Sequence, residues 1–296
     1  MSQIVLYLIG QKGYQVLNAA VTGGYRDLVI MVVVGKDKSV YNDFSEAIIS
    51  LCGQHGLKHC ARKDVAAMPE KPESYIAIAA GWRWLIREAF RQIIVFHDSL
   101  LPKNRGFNPL VTALLNRDPE VGVTAIIANK DFDCGDIIES RSIELKYPIK
   151  VAEAINSVSD LYYDLAQHLF NRIKHVDSLE GVPQDNAQAS YSVWRDEEDY
   201  RIDWKNSADY IAHFIKCLSF PYKGASTVYE GRLIRILEAE ALMDLKITNR
   251  DAGKILFTVH DKPVVICGAG LLRIDVALDD HGKSVLPFSK FRTRLK

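Results

Sequence analysis

The chain has 296 residues, 48% of them hydrophobic and 25% charged, enough to bury a real core and more than one compact domain usually holds. Lys plus Arg equals Asp plus Glu at 37 each, so no net positive charge gathers phosphate backbones, which disfavours a nucleic-acid substrate. The opening MSQIVLYLIGQKGYQVL lacks the basic, apolar and small-residue succession of a secretion signal, and no apolar run is long enough to span a bilayer, so a cytoplasmic protein with no membrane partner is expected.

IVLYLIG (residues 4–10) is a short apolar run ending in glycine, and GYQVLNAAV after it has the makings of a helix, so the chain is expected to begin strand, turn, helix. The turn GQKG lacks both the GxGxxG dinucleotide fingerprint and the P-loop pattern, and reads as a tight turn. Apolar LVIMVVVG (28–35), helical FSEAIISLCGQHG (44–56), short LKHCA, apolar SYIAIAAG (74–81), helical WRWLIREAF and apolar QIIVF (92–96) continue the alternation. Continuous β-branched runs separated by helices predict an α/β, Rossmann-like domain whose mostly parallel sheet is covered on both faces. Five scattered cysteines suit reduced thiols, and although Cys52, His55, His59 and Cys60 are all zinc-competent, their spacing matches no standard module, so no metal is expected.

From about Tyr147 the pattern turns helical, and VAEAINSVSDLYYDLAQHLFNRIKHV predicts a long helix packed against the sheet. LEGVPQDNAQAS is polar, with glycine and proline, and reads as a connector. Helical NSADYIAHFIKCL then leads into STVYE, RLIRILEAEAL, KILFTV, PVVICGAG and LLRIDVALD, which predict a small β-rich, barrel-like domain. The expected division is a catalytic domain over 1–180 and a C-terminal helix plus small β domain over 181–296.

Ligands of open α/β sheets bind outside the carboxyl ends of the strands, which draws attention to Gly81-Trp82 and His97-Asp98. The stretch IIVFHDSLLPKNRGFNPLVTALLNRDPEVGVTAIIANKDFDCGDII (93–138) sets His97 directly after an apolar strand. Arg105-Gly106 and then Asp133-Cys134-Gly135 follow it. Imidazole can act as acid, base or electrostatic stabiliser near neutral pH, and a carboxylate can fix its tautomer and support its cation, so His97 and Asp133 form a plausible catalytic pair.

HDSLLPKNRG is similar to the His-x-Ser-Leu-Leu-Pro-x-x-Arg-Gly signature of the folate-dependent formyltransferases, and GVTAIIANKDFDCGDII resembles that family's Gly-Val-Thr segment followed by Asp-x-Gly-x-Ile. IDW (202–204) and SFPYKGA (219–225) resemble segments in the second domain of its longer members. The resemblance implies formyl transfer from N10-formyltetrahydrofolate to a primary amine, with His97 stabilising the oxyanion and Asp133 holding His97 and taking a proton from the amine. It also implies a folate slot bounded by Gly81, Trp82, Arg83, Trp84 and Leu85 and by Ala128, Asn129, Lys130 and Asp131. Asp98, Ser99, Arg105, Gly106 and Asn108 fall in the substrate loop, with Asp98 either contacting the amine or capping the loop. Trp82 and Trp84 also admit plain packing, and Asp131 a solvated loop charge.

The chain departs from the family two residues before the histidine, where members carry an asparagine that helps bind the oxyanion and this sequence has Val95, which cannot donate a hydrogen bond. His97, a backbone N–H or a water takes over, or an amide such as Asn104 or Asn108 swings in, or the protein binds folate with little catalysis. Among family acceptors, initiator methionyl-tRNA needs a basic groove that the balanced charge does not promise, and glycinamide ribonucleotide is served by the catalytic domain alone. A nucleotide-linked amino sugar is the acceptor expected by elimination, and a homodimer is an open expectation. The competing class is a degenerate folate-binding or interaction protein.

Overall fold

The computed structural model describes residues 2–38, 40–64, 70–290 and 292–296. Contacts divide the chain into two compact units, the first running to Ala113 and including Asp118–Lys146 and Glu153–Trp194, the second comprising Leu114–Arg117, Tyr147–Ala152 and Arg195–Lys296.

In the first unit, β1 (Gln3–Leu8), β2 (Val29–Val34), β3 (His59–Ala61), β4 (Tyr75–Ala80), β5 (Gln92–His97), β7 (Glu120–Ile127) and β8 (Ile137–Glu144) form one sheet in the order β3-β2-β1-β4-β5-β7-β8. The short pair β6 (Arg105–Gly106) and β9 (Tyr191–Ser192) lies apart from it and runs parallel. The first five strands of the large sheet are parallel, while β7 runs against β5 and β8 against β7. Period-2 alternation sorts the strand residues. Ile4, Leu6, Leu8, Ile76, Ile78, Ile94 and Phe96 are buried on one face. That face meets α1 (Gly10–Thr22) and α2 (Val151–Ile173), whose Tyr162 ring lies 5.5 Å from Phe96. Val5, Tyr7, Met31, Val33, Cys60, Ala77 and Ala79 form a cluster on the other face.

The second face is not roofed by a helix over 82–90, contrary to the sequence reading. Residues 82–90 form no regular element, and their burial alternates, with Trp82, Trp84, Ile86, Glu88 and Phe90 turned inward and Arg83, Leu85, Arg87 and Ala89 exposed. Length explains the difference. The crossover must run from the end of β4 back to the start of β5, about 20 Å for a six-residue strand, whereas a nine-residue helix would be only about 14 Å long. An extended segment covers the distance and lays Trp82, Ile86 and Phe90 on the Val5–Tyr7 cluster.

The first unit continues to Trp194, past the boundary expected at residue 180, because the polar connector is hydrogen-bonded into it. Val182 and Ile137 exchange backbone bonds of 2.8 Å, Arg105 N donates to Ser190 O (2.9 Å), and Phe107 N donates to Ser192 O (3.0 Å).

In the second unit, α3 (Ala208–Leu218), capped by the Ser207 hydroxyl on Tyr210 N, packs on an antiparallel sheet. The strands are β10 (Ala225–Tyr229), β11 (Arg232–Leu242), β12 (Ile255–Val259), β13 (Lys262–Ile266) and β14 (Leu271–Leu278), in the order β10-β11-β14-β13-β12. The edges β10 and β12 share no ladder among the described residues, yet the last residues of the chain bridge them. Val228 and Lys296 exchange backbone bonds on one side, and Gly253 and Ile255 bond to Leu295 and Thr293 on the other, so the sheet curls toward a barrel.

Candidate active site

His97 ends β5 and points to the same face as Val95. It is 7% exposed, with Nε2 2.9 Å from the carbonyl oxygen of Asn104 and Nδ1 3.5 Å from Oδ1 of Asp133. A carbonyl only accepts, so Nε2 carries a proton and the ring is oriented with Nδ1 toward the carboxylate. Asn104 is itself held in place by its N–H on Ser190 Oγ (2.9 Å) and has φ +58°.

Asp133 reaches the histidine from an unexpected direction. Because β7 is antiparallel to β5, the chain leaves β7 beside Ile93, where Ala128 N donates to Ile93 O (2.8 Å), at the amino end of β5 rather than the carboxyl end that bears His97. The segment 128–136 is a doubled-back turn that carries Asp133 to His97 before Asp136 O accepts Ile127 N (2.9 Å). Gly135 fits against Ile127 so closely that a Cβ there would stand 1.7 Å from its carbonyl oxygen, and Asp133 adopts φ +52°. Oδ2 of Asp133 accepts the backbone N–H of Gly106 (2.9 Å), leaving Oδ1 for His97. The carboxylate remains 18% exposed and so is open to solvent.

The other expected site residues divide into those built into this frame and those at the surface. Asp98 does not cap the loop. Its carboxylate takes Lys12 and the Tyr162 hydroxyl, the latter also donating to Phe96 O (3.1 Å), while the turn after β5 is closed by Ser99 Oγ on Lys103 O (2.6 Å). Ser99 and Arg105 are buried. Gly106 has φ +100° in the β6–β9 pair, and Asn108 is exposed. Gly81 lies at the end of β4 with φ +63°, where a Cβ would meet Ile9 O at 2.5 Å. Trp82 packs edge-on against Tyr7 and Trp84, and Arg62 lies 4.3 Å over the Trp84 ring. Trp82 Nε1 is buried without a partner among the described residues. Arg83 pairs with Asp37 and Leu85 faces outward. Asn129, Lys130 and Asp131 are exposed, with Asn129 Oδ1 accepting Asp131 N. Lys12, Tyr162, the Asn104 carbonyl and Gln184 were not singled out from sequence, and none sits in a pattern that would have marked it.

Val95 packs with Trp82, Ile86, Phe90 and Ile93 against the second-face cluster, so no polar side chain occupies its position beside His97. The side-chain amide of Asn104 has no hydrogen-bond partner among the described residues, although the residue is only 7% exposed.

The family model described as formyl transferase matches residues 15–167, and that for the formyl transferase C-terminal domain matches residues 195–295. The chain belongs to the formyl transferase family. Its relatives include the methionyl-tRNA formyltransferase of Streptococcus equi subsp. equi, 32% identical over 195 residues, which are 66% of this chain and 60% of that protein. That of Nitrosomonas europaea is 30% identical over 73% of this chain and 67% of the relative. The match thus spans about three-fifths of the length of the Streptococcus relative. Among solved structures, the N-formyltransferase of Helicobacter canadensis, in complex with folinic acid and dTDP-3-aminofucose, has a TM-score of 0.66 at 15% identity and covers 93% of this chain and 99% of its own. HypX of Aquifex aeolicus has a TM-score of 0.61 at 18% identity, covering 97% of this chain and 47% of HypX. These likenesses establish the fold, and no described helix is long and apolar enough to cross a membrane.

Proposed function

We propose that this chain transfers a formyl group from N10-formyltetrahydrofolate to the primary amine of a nucleotide-linked amino sugar. The observation that carries the chemistry is the meeting of His97 and a partly exposed Asp133 carboxylate at 3.5 Å from opposite ends of β5. As the uncharged amine attacks the formyl carbon, Asp133 accepts its proton through the carboxylate oxygen facing His97, and the imidazole Nδ1 shares it. The new C–N bond forms as the bond from the formyl carbon to N10 of the folate breaks, with the returning proton leaving on N10. Since Nε2 of His97 is committed to Asn104 O, the oxyanion is best served by another donor, and the unpaired Asn104 amide is the nearest candidate in sequence. The folate cosubstrate would lie along the second sheet face, where Trp82, Ile86, Phe90 and Val95 supply an apolar wall and Trp82 Nε1 an unused donor. Gly81, Arg83, Trp84, Leu85 and Ala128 to Asp131 are its proposed rim.

The amino-sugar acceptor is supported by the balanced charge and by the fold shared over 93% of the chain with a sugar-binding N-formyltransferase. Exposed Phe107 and Phe132, whose rings lie 6.2 Å apart, offer apolar surface beside Asp133 to such a substrate. Initiator methionyl-tRNA is the second reading, favoured by the relatives at 30–32% identity. A panel of nucleotide-linked amino sugars and charged initiator tRNA, incubated with formyl donor and read by mass spectrometry for product gaining one CO, separates the two. With the accepted substrate, His97→Ala and Asp133→Asn are each expected to lower kcat by about 10²- to 10⁴-fold while the fold persists. Full activity in either variant removes that residue from the mechanism.

A further inference from the structure

The carbonyls of Asp133 and Gly135 lie in the doubled-back turn and find their partner in the segment that reads as a connector. Gln184 Nε2 donates to both, at 2.8 and 2.7 Å. The same side chain's Oε1 accepts a two-pronged contact from Arg105, Nε at 3.0 Å and Nη2 at 2.7 Å. Arg105 is 2% exposed, and no carboxylate pairs with it among the described residues; its remaining donor contacts are Asn186 Oδ1 at 2.9 Å and the Tyr191 hydroxyl. Every hydrogen-bonding position of the Gln184 amide is therefore used, and only one of its two orientations works. Flipped, its NH₂ would face a guanidinium and its oxygen two carbonyls.

We propose that Gln184 is a positioning residue for Asp133, with Arg105 fixing the direction of its amide. The guanidinium orders the amide, the amide holds the carbonyls on either side of Cys134, and the turn so held presents Oδ1 of Asp133 to His97. Arg105 thus acts on the site through Gln184 and the Gly106 N–H rather than by touching substrate. The catalytic half of this inference rests on the formyl-transfer reading; the clamp itself does not.

Gln184→Glu separates the parts, because a carboxylate of the same shape keeps both contacts from Arg105 and removes both donors to the turn. Hydrogen–deuterium exchange on the intact protein should speed up by about tenfold in peptides covering 128–137, as expected for one or two lost hydrogen bonds and a carboxylate oxygen set against the two carbonyls. In the formyl-transfer assay kcat should fall by about 10- to 100-fold, with KM for the formyl donor within about threefold. If Gln184→Glu does not fold, Gln184→Met, similar in length and without donors, takes the same measurements. Unchanged exchange over 128–137 overturns the clamp, and faster exchange with unchanged kcat overturns its role in positioning Asp133. Faster exchange in a protein whose wild type formylates no acceptor leaves the clamp standing and fails only the formyl-transfer reading.

Discussion

Val95 stands where the resemblance leads one to expect an asparagine, and its surroundings bear on what that difference entails. Two positions before the imidazole, the half-buried valine packs, like Trp82, Phe90 and Ile93, against the Val5–Tyr7 cluster, so an asparagine placed there would set an amide beside apolar groups. Val95→Asn is expected to lose about 1–3 kcal/mol of stability and to leave kcat no higher than wild type, measured by denaturant unfolding and by the formylation assay. A rise in turnover would show that an oxyanion donor is missing at that position. His97 and Asp133 were legible because their motifs carry them, and Arg105-Gly106 for the same reason. Asp98 was left between contacting an amine and capping the loop, since nothing local in the sequence announces that Lys12 and Tyr162, from two distant helices, converge on it. Long-range pairings of this kind have no periodicity to betray them.

The elements repeat that lesson at larger scale. The strands that carry the sheet were plain as apolar runs, but WRWLIREAF was read with the wrong period: Trp82, Trp84, Ile86 and Phe90 alternate as an extended segment does, and only the length of the crossover decides between the two readings. The polar stretch after Leu179 looked like a tether because its composition is that of a loop, yet its backbone and Gln184 wall the site. Gly106 joins that wall to the carboxylate. With φ +100° and room for a Cβ only 2.5 Å from Ser192 O, Gly106→Ala must break the β6–β9 pair or shift the N–H that holds Asp133. A loss of about 1–3 kcal/mol together with a fall in kcat of at least about tenfold is expected, and wild-type values for both would show that the pairing is dispensable.

Across the whole molecule, buried thiols tie stability to alkaline pH. Burial pushes Cys52 up to about 11 in the first unit, and Cys217 and Cys267 up to about 12 in the second. It also holds the phenols of Tyr7 and Tyr162 well above their ordinary value. In the unfolded chain the thiols ionise near pH 8.5, so between that pH and about 11–12 the folded state binds more protons, and stability must fall as pH rises. Urea midpoints should be lower at pH 10.5 than at pH 8, with a shallower decline in Cys267→Ala; a pH-independent midpoint would contradict the burial of these groups. The small β-rich domain itself was legible from the closely spaced strand pieces that follow the NSADYIAHFIKCL helix. What was not legible is that the final four residues fasten both edges of the second sheet, because TRLK has no strand signature of its own and owes its conformation to its neighbours.

The reversal of β7 makes the length of 128–136 a ruler. Its residues must leave the foot of β5, bring Asp133 to His97 and return in register so that Asp136 O accepts Ile127 N, and each residue added or removed shifts the chain by up to about 3.3 Å. That single step would double the gap between carboxylate and imidazole, so relatives with other side chains along this stretch can keep the chemistry, whereas a one-residue insertion or deletion must be answered by a second change in the backbone.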